Sequence, residues 1–242
     1  MAPETVFSSD AINIIWTPPL NGGSEITSYA VYVKGSDGNF YTELGYCDGS
    51  NPSFVKYANC WIPTRTLRDA PFNLQWGDKV IAKLTARNAY GVSGVSQEGG
   101  DAIMVSVPDA PENLIEDTSK RSKGTLGLQW TDGASNGGLE IIDYWISHKE
   151  NDQSPWTDIS TGITSQKYTV FGLTPGKYYL FRVRARNVQG FSESSSTLQL
   201  LAASAPEPPK FISTSNVNDQ ILITWVAPED NGSVIQGYKI AI

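Results

Sequence analysis

The chain has 242 residues with 40% hydrophobic and 18% charged content, and its formal net charge is −7. The acidic excess carries no basic stripe within it, which argues against a nucleic-acid-binding protein. No apolar run approaches the ~20 residues that cross a bilayer, and residues 1–30 lack a basic-then-apolar signal pattern, so we expect no membrane insertion in this segment.

Short strands are predicted throughout the first repeat. Ile12, Ile14 and Trp16 fall on one face of an alternating run, and Tyr29 and Val31 do so in the next run. Turns rich in Gly, Pro, Asn and Asp separate the runs, and long helical periodicity is absent. The pattern predicts an all-β fold.

The same order of parts occurs three times. A strand ending in tryptophan, an Asn-Gly turn and a strand beginning with tyrosine recur at spacings of 114 and 95 residues, the first being longer because the first repeat carries about 15 extra residues. A period near 95 residues is typical of a β-sandwich array. The tryptophans are Trp16, Trp130 and Trp225, and the turns are 21–23, 136–138 and 231–233. Proline-rich segments at 108–111 and 206–209 predict stiff linkers between the repeats.

We therefore predict three domains. Residues 1–107 and 108–204 form complete sandwiches, the first with a cysteine-containing insertion, and residues 205–242 supply only strands A, B and C of a third. Three strands alone would leave inner faces and edges uncovered, so we expect the chain to be a segment of a longer polypeptide.

Tyr179–Asn187 is the clearest predicted strand of the second repeat. Its odd-numbered positions from Tyr179 to Ala185 are apolar and face a core, whereas Arg182, Arg184 and Arg186 face water. A turn with proline and glycine at 173–176 precedes the strand and fixes where it starts.

These features resemble the fibronectin type III family. The resemblance is carried by the strand-B tryptophans, the Asn-Gly turns and, in the second repeat, Leu173 and Pro175 followed by Tyr179, which matches that family's tyrosine corner. It covers nearly the whole chain and implies tandem immunoglobulin-like β-sandwiches. The first repeat departs from the pattern, because Trp76 and Val80 stand where the corner proline and tyrosine are expected. The resemblance therefore implies that the first corner lacks the hydroxyl bond to the backbone.

The two cysteines, Cys47 and Cys60, lie in one long polar segment of the first repeat. A disulfide between them would close a loop with little apolar content and stabilise it by about 3 kcal/mol in the chain-entropy model. Two cysteines in one irregular loop fit an oxidising compartment better than the cytosol. We predict the disulfide and an extracellular or cell-surface location. The Cys-bearing repeat also resembles modules of very large secreted or surface repeat proteins of single-celled eukaryotes.

No enzyme is predicted, and we expect no catalytic, cofactor-binding or metal-binding residues. Catalysis needs a nucleophile, a base and an orienting group, or a metal held by several ligands, and the chain has one histidine. That residue, His148, is predicted to pack at the rim of a sheet. The Gly-rich turns join strand to strand, whereas a phosphate cradle joins a strand to a helix.

Two surfaces are candidates for contact with protein partners or with further copies of the chain. The first is the segment from about Gly45 to Pro63, where four aromatics either form a contact site or fold back to cap the sandwich. These aromatics are Tyr46, Phe54, Tyr57 and Trp61. The second is the outer face around Trp145, where Arg182, Arg184 and Arg186 either shield the ring or form a binding face.

Asn231 belongs to an Asn-x-Ser sequon and is a candidate N-glycosylation site, which we expect on an exposed loop.

The functional hypothesis is a non-enzymatic structural or adhesive repeat segment of a larger extracellular protein, within a surface or fibrous assembly. Protein partners and neighbouring repeats are the expected contacts. One alternative is an intracellular scaffold with free thiols that docks partners through its sheet faces. Another is a set of spacer modules in a secreted carbohydrate-active enzyme.

Overall fold

The computed structural model describes residues 2–150 and 153–241. Its strands pair antiparallel in five sheets, and the fold is that of all-β tandem immunoglobulin-like sandwiches. Two compact units are present. Unit 1 runs to Val107 and also includes Ser135–Glu140, and unit 2 holds Pro108–Ala134 and the residues from Ile141 onward.

The first repeat contains seven strands and two short helices among its described residues. These are β1 (Glu4–Ser8), β2 (Ala11–Ile15), β3 (Ser28–Lys34), β4 (Phe40–Thr42), α1 (Pro52–Tyr57), β5 (Asn59–Pro63), α2 (Thr64–Arg68), β6 (Ala82–Asn88) and β7 (Gly91–Val92). One sheet has the order β1-β2-β5 and the other the order β4-β3-β6-β7. The predicted alternation is confirmed, since Ile12, Ile14, Tyr29 and Val31 are buried.

The second repeat contains eight strands among its described residues. These are β8 (Glu112–Ser122), β9 (Thr125–Thr131), β10 (Asp143–Lys149), β11 (Thr157–Ile163), β12 (Lys167–Val170), β13 (Tyr178–Asn187), β14 (Gly190–Phe191) and β15 (Leu198–Leu201). One sheet has the order β12-β9-β8. In the other, β13 pairs with β10, β14 and β15, and β11 pairs with β10. Strand β13 alternates between buried and half-buried positions as predicted.

The C-terminal region forms a hairpin of β16 (Lys210–Val217) and β17 (Gln220–Val226). Asn218 and Asp219 both have positive φ, as a tight hairpin turn that matches the twist of its strands requires. The prediction of a third strand in this region was wrong, because residues 237–241 form no strand. The Tyr238 ring still lies 5.0 Å from Trp225. An incomplete third sandwich at 205–242 stays a prediction.

In both sandwich cores a tryptophan at the end of β2 or β9 packs against a tyrosine of β3 or β10. The Trp16 and Tyr29 ring centroids lie 5.0 Å apart, and those of Trp130 and Tyr144 lie 5.4 Å apart, each pair edge to face. Edge-to-face geometry places the positive edge of one ring on the negative face of the other, which adds to the hydrophobic gain.

The corners before β6 and β13 hold the same backbone bond with different acceptors. In corner two (residues 173–179), the Thr174 N–H donates to the Tyr179 hydroxyl at 3.0 Å. In corner one (residues 74–80), the Gln75 N–H donates to the Asp78 carboxylate at 2.7 Å. The hydroxyl bond is absent from corner one as the resemblance implied, and an aspartate replaces it.

The turns that follow β2, β9 and β17 share one hydrogen bond, and in the last repeat it lies one residue earlier than the predicted turn. In turn one (21–23), Asn21 Oδ1 accepts the Gly23 N–H at 2.9 Å, and in turn two (136–138) Asn136 Oδ1 accepts the Gly138 N–H at 3.0 Å. The corresponding acceptor in the last repeat is Asp230 Oδ1, which binds the Gly232 N–H at 2.9 Å. Turn three is therefore 230–232, one residue earlier than the predicted 231–233.

Candidate contact surfaces

The predicted disulfide between Cys47 and Cys60 is present, and both residues are buried in the core of the first repeat. Inside the loop that the disulfide closes, the chain passes beside the start of β3, where the Tyr29 N–H donates to the Gly49 carbonyl at 2.9 Å. A Cβ on Gly49 would lie 1.9 Å from the Tyr29 carbonyl oxygen, so only glycine fits. The disulfide and this close approach fix the loop to the sheet.

Helix α1 inside this loop follows from local capping signals. Asn51 Oδ1 accepts the Ser53 N–H at 2.9 Å, and Pro52 opens the helix, where a missing N–H costs nothing. Ala58 ends the helix in a left-handed conformation, and its carbonyl accepts the Trp16 N–H at 3.0 Å. The sequence interpretation missed this helix, although Asn51 followed by Pro52 is a start signal.

Part of the segment from Gly45 to Pro63 was wrongly predicted to lie outside the sheets. Strand β5 occupies Asn59–Pro63 and pairs with β2 along its whole length, so it completes the first sheet. Cys60 and Ile62 are fully buried. The core of the first repeat therefore depends on part of this segment.

The four candidate aromatics separate into two groups. Phe54 packs against the core of the first repeat, which is the capping role. Tyr46, Tyr57 and Trp61 are 42%, 63% and 45% exposed. Tyr46 is held in place because its hydroxyl accepts a bond from Arg65 at 3.1 Å. Exposed rings of this size on a rigid scaffold are typical anchors for a protein partner.

The register around Trp145 places the arginines where the sequence predicted. Strands β10 and β13 pair Trp145 with Arg184, Ser147 with Arg182 and Asp143 with Arg186. The guanidinium carbons of Arg184 and Arg186 both lie 5.8 Å from the Trp145 ring. Phe191 meets the same ring edge to face at 4.5 Å.

Each of these arginines has a partner within the chain. Arg186 forms a bidentate pair with the buried carboxylate of Asp143, and Arg184 lies 3.6 Å from Asp158. The Arg182 guanidinium lies 4.3 Å from the Trp156 ring. Such contacts contribute about 0.5 to 1 kcal/mol each when exposed. They favour the shielding role of the arginines over a binding face.

His148 packs flat against Tyr179, with ring centroids 5.5 Å apart. Burial lowers the pKa of His148, and the charge of Glu150 opposes that shift. Lys177 donates to Glu150 at 2.8 Å and lowers the pKa of that carboxyl. The histidine is therefore a packed, neutral side chain near corner two, as the rim position predicted.

No group of three or more His, Cys, Asp or Glu side chains is arranged to hold a metal ion within residues 2–150 and 153–241. In the same ranges, no helix is long and apolar enough to cross a membrane.

The expected exposure of Asn231 is wrong. Its side chain is buried, and its Nδ2 donates to the Ala205 carbonyl at 2.8 Å. The amide that would carry a glycan is therefore occupied in this conformation. Glycosylation at Asn231 stays a prediction that requires this contact to open.

The geometry defines a class of protein built from tandem β-sandwich modules. Residues 109–200, which span most of the second repeat, match the family model described as Fibronectin type III domain.

Relatives of the chain include a protein of striated muscle and a protein named sidekick-1. M-protein of striated muscle from Gallus gallus is 31% identical over 252 residues, which cover 98% of this chain and 16% of M-protein. Protein sidekick-1 from Homo sapiens is 31% identical over 165 residues, which cover 62% of this chain and 7% of sidekick-1. The chain thus spans less than a fifth of either relative.

Among solved structures, the FN1-FN3 domains of chicken CNTN1 align over 93% of this chain and 75% of that chain. The sequence identity is 15% and the TM-score is 0.46.

Proposed function

We propose that the chain is a non-enzymatic structural and adhesive repeat segment of a larger extracellular protein, within a surface or fibrous assembly. The Cys47–Cys60 disulfide inside a tandem-sandwich fold is the observation that carries the proposal. Disulfides persist in oxidising compartments and are rare in the cytosol. The domains would be 1–107, 108–204 and an incomplete third at 205–242.

Contact through exposed aromatics supports the adhesive part of the proposal. Tyr57 is the last residue of α1 and Trp61 lies on β5, and the disulfide links this part of the chain to the preceding segment, so both rings lose little conformational freedom when a partner binds. The arginine face of the second repeat is less suited, because Asp143 and Asp158 already pair with its charges.

An intracellular scaffold is the second candidate function, and one observation favours it. M-protein of striated muscle is similar over 98% of the chain. In that function both cysteines would be free in the native protein, and sheet faces would dock the partners.

Thiol alkylation in denaturant and without reductant, applied to protein isolated from its native source, distinguishes the two candidates, because both cysteines are buried in the folded state. We expect no alkylation of Cys47 or Cys60 before reduction and two alkylated residues after reduction in denaturant, which serves as the control. Two reactive thiols before reduction would contradict the extracellular proposal and support the scaffold. Recovery of the parent reading frame tests the third possibility, because a spacer requires a carbohydrate-active catalytic domain in the same chain.

A further inference from the structure

The three turns that follow β2, β9 and β17 present the same backbone surface. In each, a side-chain oxygen of the first residue accepts the N–H of the third. The second and third residues both have positive φ, with values of 62° and 86° in turn one, 72° and 77° in turn two, and 51° and 90° in turn three. Only Gly or Asn occupies these positions, as such values require.

Turn two is engaged within unit 1. The Ser106 N–H donates to the Gly137 carbonyl at 2.9 Å. The Gly138 backbone lies so close to corner one that an added Cβ would be 2.5 Å from the Gly77 nitrogen. Gly77 is itself held by a bond from its N–H to the Met104 carbonyl at 2.7 Å.

Turn three is engaged in the same way within unit 2. The Ser204 N–H donates to the Asn231 carbonyl at 3.2 Å. An added Cβ on Gly232 would lie 2.4 Å from the Gly176 nitrogen of corner two. Gly176 in turn donates to the Ala202 carbonyl at 2.9 Å. A glycine corner bonded to the C-terminal segment of its repeat is therefore the group that receives the turn in both places.

Turn one carries the same backbone without such a group. An added Cβ on Gly22 or Gly23 would meet no atom of the described chain within 4 Å. Gly22 is exposed, whereas its counterparts Gly137 and Asn231 are buried. Beside the turn, Leu20 is 99% exposed and Tyr90 is 91% exposed, and both line one surface groove. Large exposed apolar side chains around an open backbone surface are typical of an interaction site.

We propose that turn one is a docking site for the glycine corner and adjoining C-terminal segment of another sandwich of this fold. The occupant is inferred from turns two and three, where the same backbone surface receives Gly77 and Gly176. Leu20 and Tyr90 would pack on the rim of that corner. The inference rests on the proposed function, because it supplies the contact through which a repeat segment continues as an array.

The test adds the proposed occupant to the full chain. A second copy of residues 109–211 is joined directly to Pro3, which corresponds to residue 212 by strand register, so that a glycine corner and the segment it binds precede turn one at the native spacing. Hydrogen exchange is measured at residues 20–24 in the extended and the original chain. We expect exchange to slow by roughly tenfold in the extended chain, since docking removes the turn from water. Protection in the added copy of Tyr178–Asn187 checks that the added repeat is folded.

Gly23→Ala is the matched variant, made in both chains. In the original chain the new Cβ meets open space, so the variant reports only the strain of a positive φ. In the extended chain we expect it to return exchange at residues 20–24 to the rate of the original chain. Leu20→Glu, which adds no backbone strain, should also make exchange at residues 20–24 of the extended chain faster.

Unchanged exchange at residues 20–24 with a folded added repeat would overturn the inference. If the added copy does not fold, an extension with residues 3–113 supplies corner one instead, and lack of protection there has the same meaning. The result is independent of the cysteines. Free thiols in native protein would contradict the proposed function alone, whereas absent docking with an intact disulfide would contradict this inference alone.

Discussion

Corner one and corner two fix the start of a buried strand with different chemistry. Both place a glycine N–H on a backbone carbonyl in the C-terminal segment of the repeat, from Gly77 to Met104 in one and from Gly176 to Ala202 in the other. In corner two the Thr174 N–H donates to the Tyr179 hydroxyl. In corner one the Gln75 N–H donates to the Asp78 carboxylate. The comparison teaches that this position of the fold requires a hydrogen-bond acceptor, which tyrosine is one way to supply.

The two repeats also differ in what stabilises them beyond the corner. The first has a disulfide that links its loop to β5, and its chain covers the core with α1 and α2. The second repeat is held on its outer face by cation and aromatic contacts around Trp145. Changes in one set should therefore leave the other repeat unaffected.

The largest effect is expected from removal of the disulfide. Cys47→Ala with Cys60→Ala should lower the unfolding free energy of the first repeat by about 3 kcal/mol, the chain-entropy value for a short loop. Denaturant unfolding, followed by calorimetry to separate the repeats, measures it. The reduced wild-type protein is the control and should behave alike. A second repeat that loses equal stability would contradict the independence of the two repeats.

The next effect concerns the loop aromatics. Phe54→Ala should destabilise the first repeat by about 2 kcal/mol, because Phe54 packs against the core. Trp61→Ala should cost less than about 1 kcal/mol, since the ring is half exposed, but should weaken self-association or partner binding. Analytical ultracentrifugation beside thermal melts measures both. A large fall in melting temperature for Trp61→Ala with association intact would reject the contact role.

The corner substitutions should each cost about 1 kcal/mol, the net value of one hydrogen bond. Tyr179→Phe removes the hydroxyl from corner two, and Asp78→Ala removes the acceptor from corner one. Asp78→Asn keeps an acceptor oxygen and serves as the matched control. Equal losses from Asp78→Asn and Asp78→Ala would show that the oxygen is not what matters.

The smallest effect is a pH dependence confined to the second repeat. Burial lowers the pKa of His148 from its ordinary value of 6.5, so the folded state disfavours the protonated ring. The stability of the neutral form is present above pH 6.5 and is lost as the pH falls below it. Melting temperatures between pH 5 and 7 should show this fall, and His148→Gln should remove it. Glu150 and Lys177 face the same site but titrate outside this range.

Alternation and spacing were enough to predict most of the sandwich. Ile12, Ile14 and Trp16 lie on one face because a strand has a period of two, and β10 pairs with β13 in the register that placed Arg184 beside Trp145. The disulfide followed from two cysteines in one loop. These features depend on local periodicity, which a single sequence carries.

The errors arose where a role depends on groups distant in the chain. Strand β5 was read as loop because its pairing partner β2 lies far away in sequence. Asp78 was missed because a family pattern names tyrosine, whereas the backbone requires only an acceptor. Turn three was predicted one residue too late because Asn231 was matched with Asn21 and Asn136, although Asp230 supplies the oxygen that accepts the hydrogen bond.

Hydrogen exchange at the amides of Gln75 and Thr174 tests most directly that an acceptor fixes both corners. The account predicts that both amides are protected in the native protein. Asp78→Ala should release Gln75 alone, and Tyr179→Phe should release Thr174 alone, each by roughly fivefold to tenfold for about 1 kcal/mol. An unprotected Gln75 amide in the native protein, or release of both amides by either substitution, would contradict it.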